Sequence, residues 1–268
     1  MTDRLPFDAR RFRHAAPHYL EGRPAYAARL IERVAELCGL GPKDRVLDLG
    51  CGPGQLARAF APIAGEVIAV DPEPEMLRIA RELSLPFGER IRFIEGSSFD
   101  LDCAPGPFRL VVIGRAFHWM DREETLILLD RMVEPGGALA LFDDEHPEVP
   151  ENAWRSEYQA LIERYSATDP VRKLRKRPEF LRHEAVLLDS PFSRLERIGI
   201  IERRTTPVRR ILDRALSMSS TSRAHLGERV EILSRELTDL LDRLAPEGGL
   251  VEIVESQALI ARRVTEAP

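Results

Sequence analysis

The stretch "DRVLDLGCGPGQLARAF", Asp44 to Phe60, packs an apolar run, an acid and three closely spaced glycines into seventeen positions. Val46, Leu47 and Leu49 read as a buried strand, and "GQLARAFAPIA" as the helix that follows. Gly50, Gly52 and Gly54 then occupy the turn between them, where glycine lets a ligand come close to the backbone and to the helix N-terminus. A dinucleotide turn has the spacing G-x-G-x-x-G, but Gln55 stands where its third glycine belongs. Asp48 precedes the turn. A carboxylate there repels a pyrophosphate and attracts an ammonium, so the stretch favours a cationic ligand without phosphate.

The sequence around this turn alternates between strand and helix patterns. "EVIAVD", "IRFIEG", "FRLVVIG" and "GGALALFDD" read as further strands, with "EPEMLRIAREL" and "REETLILLDRMV" as helices. "PAYAARLIERVAEL", residues 24–37, predicts a helix ahead of them. This alternation over residues 44–144 implies a parallel sheet with helices on both faces. After Asp144 the rhythm changes to helical segments, "AWRSEYQALIERY", "VRKLRKRPEFLRHEAVL" and "ERVEILSRELTDLLDRL", interrupted by the strand patterns "LERIGIIERR" and "GGLVEIVESQALIARRV". The expected fold is α/β: a Rossmann-like doubly wound, mostly parallel seven-stranded sheet with helical cap insertions late in the chain. One domain is expected. It would comprise an N-terminal lid and helix (1–40), a cofactor-binding core (41–144), cap inserts (145–192 and 205–248) and final strands (193–204 and 249–264).

Composition narrows the function classes. The 268 residues carry 44% hydrophobic and 31% charged side chains, ordinary for a globular protein able to bury a full core. A net charge of -5 gives no global basic field and argues against nucleic acid as a partner. Of the 39 basic residues only Lys43, Lys173 and Lys176 are lysines, and the arginines are spread along the whole chain. Cys38, Cys51 and Cys103 are odd in number and match no metal spacing, which predicts a reduced cytoplasmic protein without a metal site. No signal peptide and no membrane span of roughly 20 apolar residues is visible. Oligomeric state is left open.

The second strand ends in Asp71, placed either to accept the hydroxyls of a ribose or as an ordinary strand-end acid. With Asp48 and the glycines it points to an adenosine ligand that is cationic, such as S-adenosylmethionine. The segments "VLDLGCGPGQLA" (46–57), "VIAVDPEPEML" (67–77), "FIEGSSFDL" (93–101), "LVVIGRAFHWMD" (110–121) and "MVEPGGALALF" (132–142) together resemble the class I S-adenosylmethionine-dependent methyltransferases. "RPAY", "AFHWMD" and "GGLVEIVESQALIARR" resemble the small-molecule, trans-aconitate methyltransferase-like branch of that family. The resemblance implies that Gly50, Gly52 and Gly54 form the cofactor turn, with Asp48 near the ammonium and Asp71 on the ribose. It also implies that Met76 packs on the adenine. The family's acid after the glycine of "EGSSF" is here Ser97, so Ser97 or Ser98, beside Phe99, would take the adenine amino group.

The remaining candidates surround the acceptor. His118 is either a general base or a ring that shapes the pocket beside Trp119. Arg115 lines the cofactor's methionine end or sits solvated at its strand end. Tyr19 and Arg23 fall where relatives fold a lid over the cofactor, and Arg23 either pairs with the cofactor's carboxylate or lies on the surface. The run 171–178 (Arg172, Lys173, Arg175, Lys176, Arg177) either attracts an anionic acceptor or forms a solvated helix face. Trp154 and Tyr158 line an acceptor pocket or pack the cap. A small-molecule methyl acceptor at an oxygen or carboxylate is the expectation. An RNA or protein methyltransferase and a non-catalytic cofactor-binding protein are the alternatives.

Overall fold

The computed structural model describes Phe12, Arg13, residues 15–101 and residues 106–264. Its strands are β1 (Arg45–Leu49), β2 (Glu66–Asp71), β3 (Ile91–Glu95), β4 (Phe108–Gly114), β5 (Val133–Glu145), β6 (Arg194–Pro207) and β7 (Gly249–Arg262). They form one sheet in the order β3-β2-β1-β4-β5-β7-β6. β1 to β5 are parallel, and β7 runs antiparallel between β5 and β6. The helices are α1 (Ala16–Gly22), α2 (Ala28–Cys38), α3 (Gln55–Phe60), α4 (Pro74–Ser84), α5 (Arg122–Met132), α6 (Arg155–Ser166), α7 (Pro170–Arg175), α8 (His183–Leu188), α9 (Val208–Leu216), α10 (Arg223–Leu226) and α11 (Arg229–Leu244). This is the Rossmann-like doubly wound sheet with late helical insertions that the alternation implies.

The apolar runs are strands buried on both faces, as a parallel sheet requires. Successive side chains point to opposite faces. Val46, Val67, Leu110 and Val112 pack with Leu30, Val34, Leu56 and Phe60 of α2 and α3. Leu47, Ile68, Val111 and Ile113 pack on the other face with Leu126, Leu129, Val186 and Leu187 of α5 and α8. The chain leaves β1 toward β2 on one side and returns as β4 on the other, so a crevice opens at the carboxyl ends of β1, β2 and β4.

Three departures from the sequence reading bear on that crevice. The expected helix at 24–37 begins only at Ala28, and a separate helix, α1, precedes it. The segment read as helical from Val171 breaks after Arg175 and resumes at His183, with Pro178 in the break. β6 continues to Pro207, because its pairing with β7 persists to Pro207 opposite Gly249.

The two late insertions share one core. Trp154, Tyr158, Leu161 and Ile162 of α6 pack against Ile211 and Ala215 of α9 and against Val230, Leu233, Leu237 and Leu241 of α11. Helix α1 docks on this cap. A Cβ at Gly22 would stand 2.4 Å from the Asp213 carbonyl carbon, so only glycine allows the crossing with α9. His18 Nδ1 lies 2.8 Å from Asp213 Oδ1, and Arg23 Nε donates to Ser217 Oγ at 3.0 Å.

Candidate functional site

The glycine turn lies at the end of β1. Gly50, Gly52 and Gly54 have φ of 70°, 51° and 73°, a left-handed run that residues with a Cβ rarely adopt. Gly50 and Cys51 donate their N–H groups to Val70 O at 2.8 and 3.0 Å, tying the turn to β2. Beside Gly52, among the described residues other than its chain neighbours, there is no heavy atom within 4 Å of where a Cβ would stand, which leaves the backbone open to them on that side. Gly54 is different: its Cα faces Arg58, Phe93 and Ala80, so it packs the helix on the sheet.

The cleft above the turn is lined by Gly50, Gly52, Asp71, Met76, Ser97 and Ser98, with Tyr19, Arg115, Trp119 and Phe12 closing it. Asp71 is buried there. Its Oδ2 accepts the Gly52 N–H at 2.8 Å and its Oδ1 the Glu73 N–H at 2.9 Å. The second bond is an Asx turn that leads into α4, where Pro74 opens the helix and Glu73 Oε1 accepts the Glu75 N–H. Burial raises the Asp71 pKa to about 6, although these two N–H bonds favour the charged form.

Several predicted residues stand elsewhere. The Asp48 carboxylate does not line the main cleft. Its Oδ2 accepts the Ala57 N–H at 2.8 Å, satisfying one of the free donors of the first turn of α3. It borders a small cavity beneath the turn with Tyr19, Tyr26 and Arg115. Burial raises its pKa to about 7, and the nearby Asp71 adds to the rise. Phe99 is 53% exposed and does not line the cleft. Ser97 Oγ donates to Asp100 Oδ2 at 2.7 Å and accepts the Phe99 N–H at 3.2 Å, so the local acid serves Ser97 itself. Ser98 Oγ makes no hydrogen bond among the described residues.

His118 lines neither this cleft nor the next. Its ring lies 4.7 Å from Trp119 and stacks 6.3 Å from His183. Burial lowers its pKa well below the usual imidazole value, and the cations Arg175, Arg23 and Arg122 lower it further. A lowered pKa makes the ring a weaker base while leaving it in the neutral, proton-accepting form.

A second, larger cleft of about 660 Å³ adjoins the first, and Arg115 lies in both. Arg115 has φ 55°, an uncommon conformation for a residue with a Cβ. Its guanidinium is ion-paired with Asp144, donates to Pro24 O at 3.2 Å and lies 4.3 Å over the Tyr26 ring. Arg23 belongs to this second cleft rather than the first, along with Tyr158, Arg155, Arg214, His146, Arg172 and Lys176. Lys173, Arg175 and Arg177 of the basic run do not line it. Trp154 packs in the cap and donates Nε1–H to Val251 O at 3.0 Å. Glu73, Trp119 and Phe12 in the first cleft, and Arg155, Arg214 and His146 in the second, were not singled out from sequence. Trp119 alone carried a signal, in the "HW" pair.

Gln55 joins these parts. It donates Nε2–H to Arg23 O at 2.7 Å, and its Oε1 is 3.4 Å from Arg115 Nη1. The position that breaks the dinucleotide pattern thereby fixes the segment after α1 against the glycine turn.

Comparison with known proteins gives a consistent picture. Residues 46–137 match the methyltransferase domain family. An uncharacterized methyltransferase of Mycobacterium bovis is 30% identical over 186 residues, covering 69% of this chain and 67% of the relative. A malonyl-[acyl-carrier protein] O-methyltransferase of Enterobacter lignolyticus is 32% identical over 228 residues, 81% of this chain and 79% of the relative. A methyltransferase of Geobacter sulfurreducens, solved with S-adenosyl-L-homocysteine, has the same fold. Its TM-score is 0.53 at 18% identity, covering 98% of this chain and 100% of the other.

Proposed function

Because this chain belongs to the class I S-adenosylmethionine-dependent methyltransferases, we propose that it methylates a small molecule at an oxygen, most simply a carboxylate oxygen. The observation that carries this reading is the cap. Both insertions and α1 roof the carboxyl ends of the strands, so the second cleft is a pocket of small-molecule size rather than an open groove for a polymer. The name of the Enterobacter relative, an O-methyltransferase, supports oxygen as the acceptor atom. The segments resembling the trans-aconitate methyltransferase-like branch fit a small acceptor too.

The residues of the first cleft fit the cofactor. Gly50 and Gly52 offer bare backbone to the methionine part. Asp71, held by two N–H groups, keeps lone pairs that would serve the ribose hydroxyls, and Met76 with Ser98, lining the same cleft, would border the adenine. Bound there, S-adenosylmethionine supplies a methyl group already activated on a sulfonium. A carboxylate acceptor is ionised near neutral pH. Methyl transfer to such an oxygen would release no proton, so no base would be needed and the residues of the clefts would serve to align the acceptor with the activated methyl group. His118 then shapes the wall behind Trp119, and alignment by the surrounding arginines does the rest.

Incubation of the full chain with labelled cofactor and a panel of organic acids and phenols tests the reading by mass spectrometry. A methyl ester or ether product is expected. Methylation confined to RNA or protein would overturn it. Asp71→Ala tests the cofactor cleft separately. Calorimetry with S-adenosylhomocysteine should show a loss of about 1–3 kcal/mol, the scale of hydrogen bonds to a charged acceptor, and an unchanged affinity removes Asp71 from the site.

A further inference from the structure

The second cleft holds more positive charge than its carboxylates engage. Arg115 is paired with Asp144, and Arg214 donates to both oxygens of Glu252 at 2.8 Å. Arg172 donates to Glu163 at 2.6 Å at the rim. Arg23 and Arg155 are different. Arg23 has Ser217 Oγ as its side-chain hydrogen-bond partner and no carboxylate within 4 Å among the described residues; Asp143 of the same cleft acts on it only at longer range. Arg155 Nη1 stands 3.9 Å from Glu252 Oε2, beyond hydrogen-bond reach.

Two buried polar atoms of this same wall have no hydrogen-bond partner among the described residues, Arg155 Nη1 and Tyr158 Oη, while His146 Nε2 lies 3.3 Å from Glu252 Oε2. Tyr158 is 3% exposed. Burial raises its pKa despite Arg214, Arg23 and Arg155, so the hydroxyl keeps its proton and remains a donor among guanidinium groups. Native chains rarely leave buried donors unmatched. Unmatched donors, beside two cations without a hydrogen-bonded carboxylate, are complementary to an anion. Here the unmatched donors come from α6 (Arg155, Tyr158), and Arg23 joins them from the segment after α1. An apolar acceptor would leave these donors unmatched, and a neutral polar one would leave the charge of Arg23 and Arg155 uncompensated.

We propose that this cleft binds a carboxylate of the acceptor remote from the methylated atom, clamped by Arg23, Arg155 and the Tyr158 hydroxyl, so that the substrate is a small organic acid with at least two anionic groups. The proposal rests on the methyltransferase reading above and adds the substrate class. Arg115, shared by the two clefts, lies between the remote carboxylate and the glycine turn. The planar forks of Arg155 and Arg23 suit a carboxylate, which accepts two parallel N–H bonds.

The test is calorimetry on the full chain saturated with S-adenosylhomocysteine, titrated with succinate, glutarate, citrate, inorganic phosphate and neutral succinamide. At least one of the three carboxylates should bind and succinamide should not. Tyr158→Phe and Arg155→Gln should each weaken that carboxylate by about 10–100-fold, with S-adenosylhomocysteine affinity unchanged. Without ligand, Tyr158→Phe should melt at or above the temperature of the natural chain, since it deletes an unmatched buried hydroxyl. A lower melting temperature would mean that the hydroxyl serves the fold, and would overturn its role here. S-adenosylhomocysteine binding with no carboxylate response overturns the anion site and leaves the methyltransferase reading standing. Binding of phosphate alone overturns the carboxylate assignment. Failure to bind S-adenosylhomocysteine removes both readings.

Discussion

Asp48 and His118 show how residue type and residue role separate. An acid before a glycine turn and a histidine after a strand are chemically suggestive in sequence, but packing decides what each can do. Asp48 is turned under the turn to hold the Ala57 N–H. Its pKa in the fold is about 7 against an ordinary 3.8, because burial disfavours the charge. Between those values the folded chain holds a proton that the unfolded chain has released, so this group's contribution to stability declines as pH rises from about 4 to 7. Asp48→Asn removes the titration. The difference in melting temperature between variant and natural chain should therefore shift in the variant's favour across that window, and parallel profiles would refute the assignment. His118 has the opposite character. Its ring lines neither cleft, so His118→Ala should leave cofactor affinity intact and reduce turnover by less than the 10²–10⁴-fold typical of a lost general base. Once an acceptor is in hand, a rate that rises near pH 6–7 only when His118 is present would contradict this.

At the level of elements, the parallel strands were legible because burial on both faces leaves continuous apolar runs, and α4 and α11 because their apolar stripes recur at helical spacing. Helix α1 was not legible. Its seven residues, "APHYLEG", are too few for a periodic stripe, and what holds them is contact with α9, far away in sequence. The same holds for Arg155, Tyr158 and Arg214, which converge only after two insertions fold together. Gly22 tests the α1 contact. An added methyl would meet the Asp213 carbonyl carbon at 2.4 Å and Arg214 N at 2.5 Å, both backbone atoms that cannot swing aside. Gly22→Ala should cost about 1–3 kcal/mol of overpacking strain and lift α1 from α9. Tyr19 would be displaced from the first cleft and Arg23 from the second, so S-adenosylhomocysteine affinity and the acceptor's Michaelis constant should worsen together. Amide hydrogen exchange in α1 should accelerate. Unaltered exchange there would show that the crossing tolerates the methyl.

On the scale of the whole molecule the two clefts are built from different parts of the chain. Every described residue lining the first lies between Phe12 and Met120, and the family match ends at residue 137. The second cleft draws on Arg155, Tyr158, Arg172, Arg214 and Val254 as well. The proposed cofactor cleft was therefore legible from a local run of motifs, while the proposed acceptor pocket depends on a cap whose core is separate from the two sheet cores. That separation has a measurable consequence. Leu237 on α11 is fully buried in the cap core and touches neither cleft. Leu237→Ala should remove about 2–5 kcal/mol from the packing of the cap. The loss falls on the pocket proposed to align the acceptor, so the acceptor's Michaelis constant should rise severalfold. The glycine turn and Asp71 are anchored to Val70 O, Gly52 N and Glu73 N within the sheet's own connections, so S-adenosylhomocysteine should bind the variant almost as well as the natural chain. A parallel loss of both affinities would mean that cap and sheet unfold as one unit, with α1 carrying the strain from α9 down to the glycine turn.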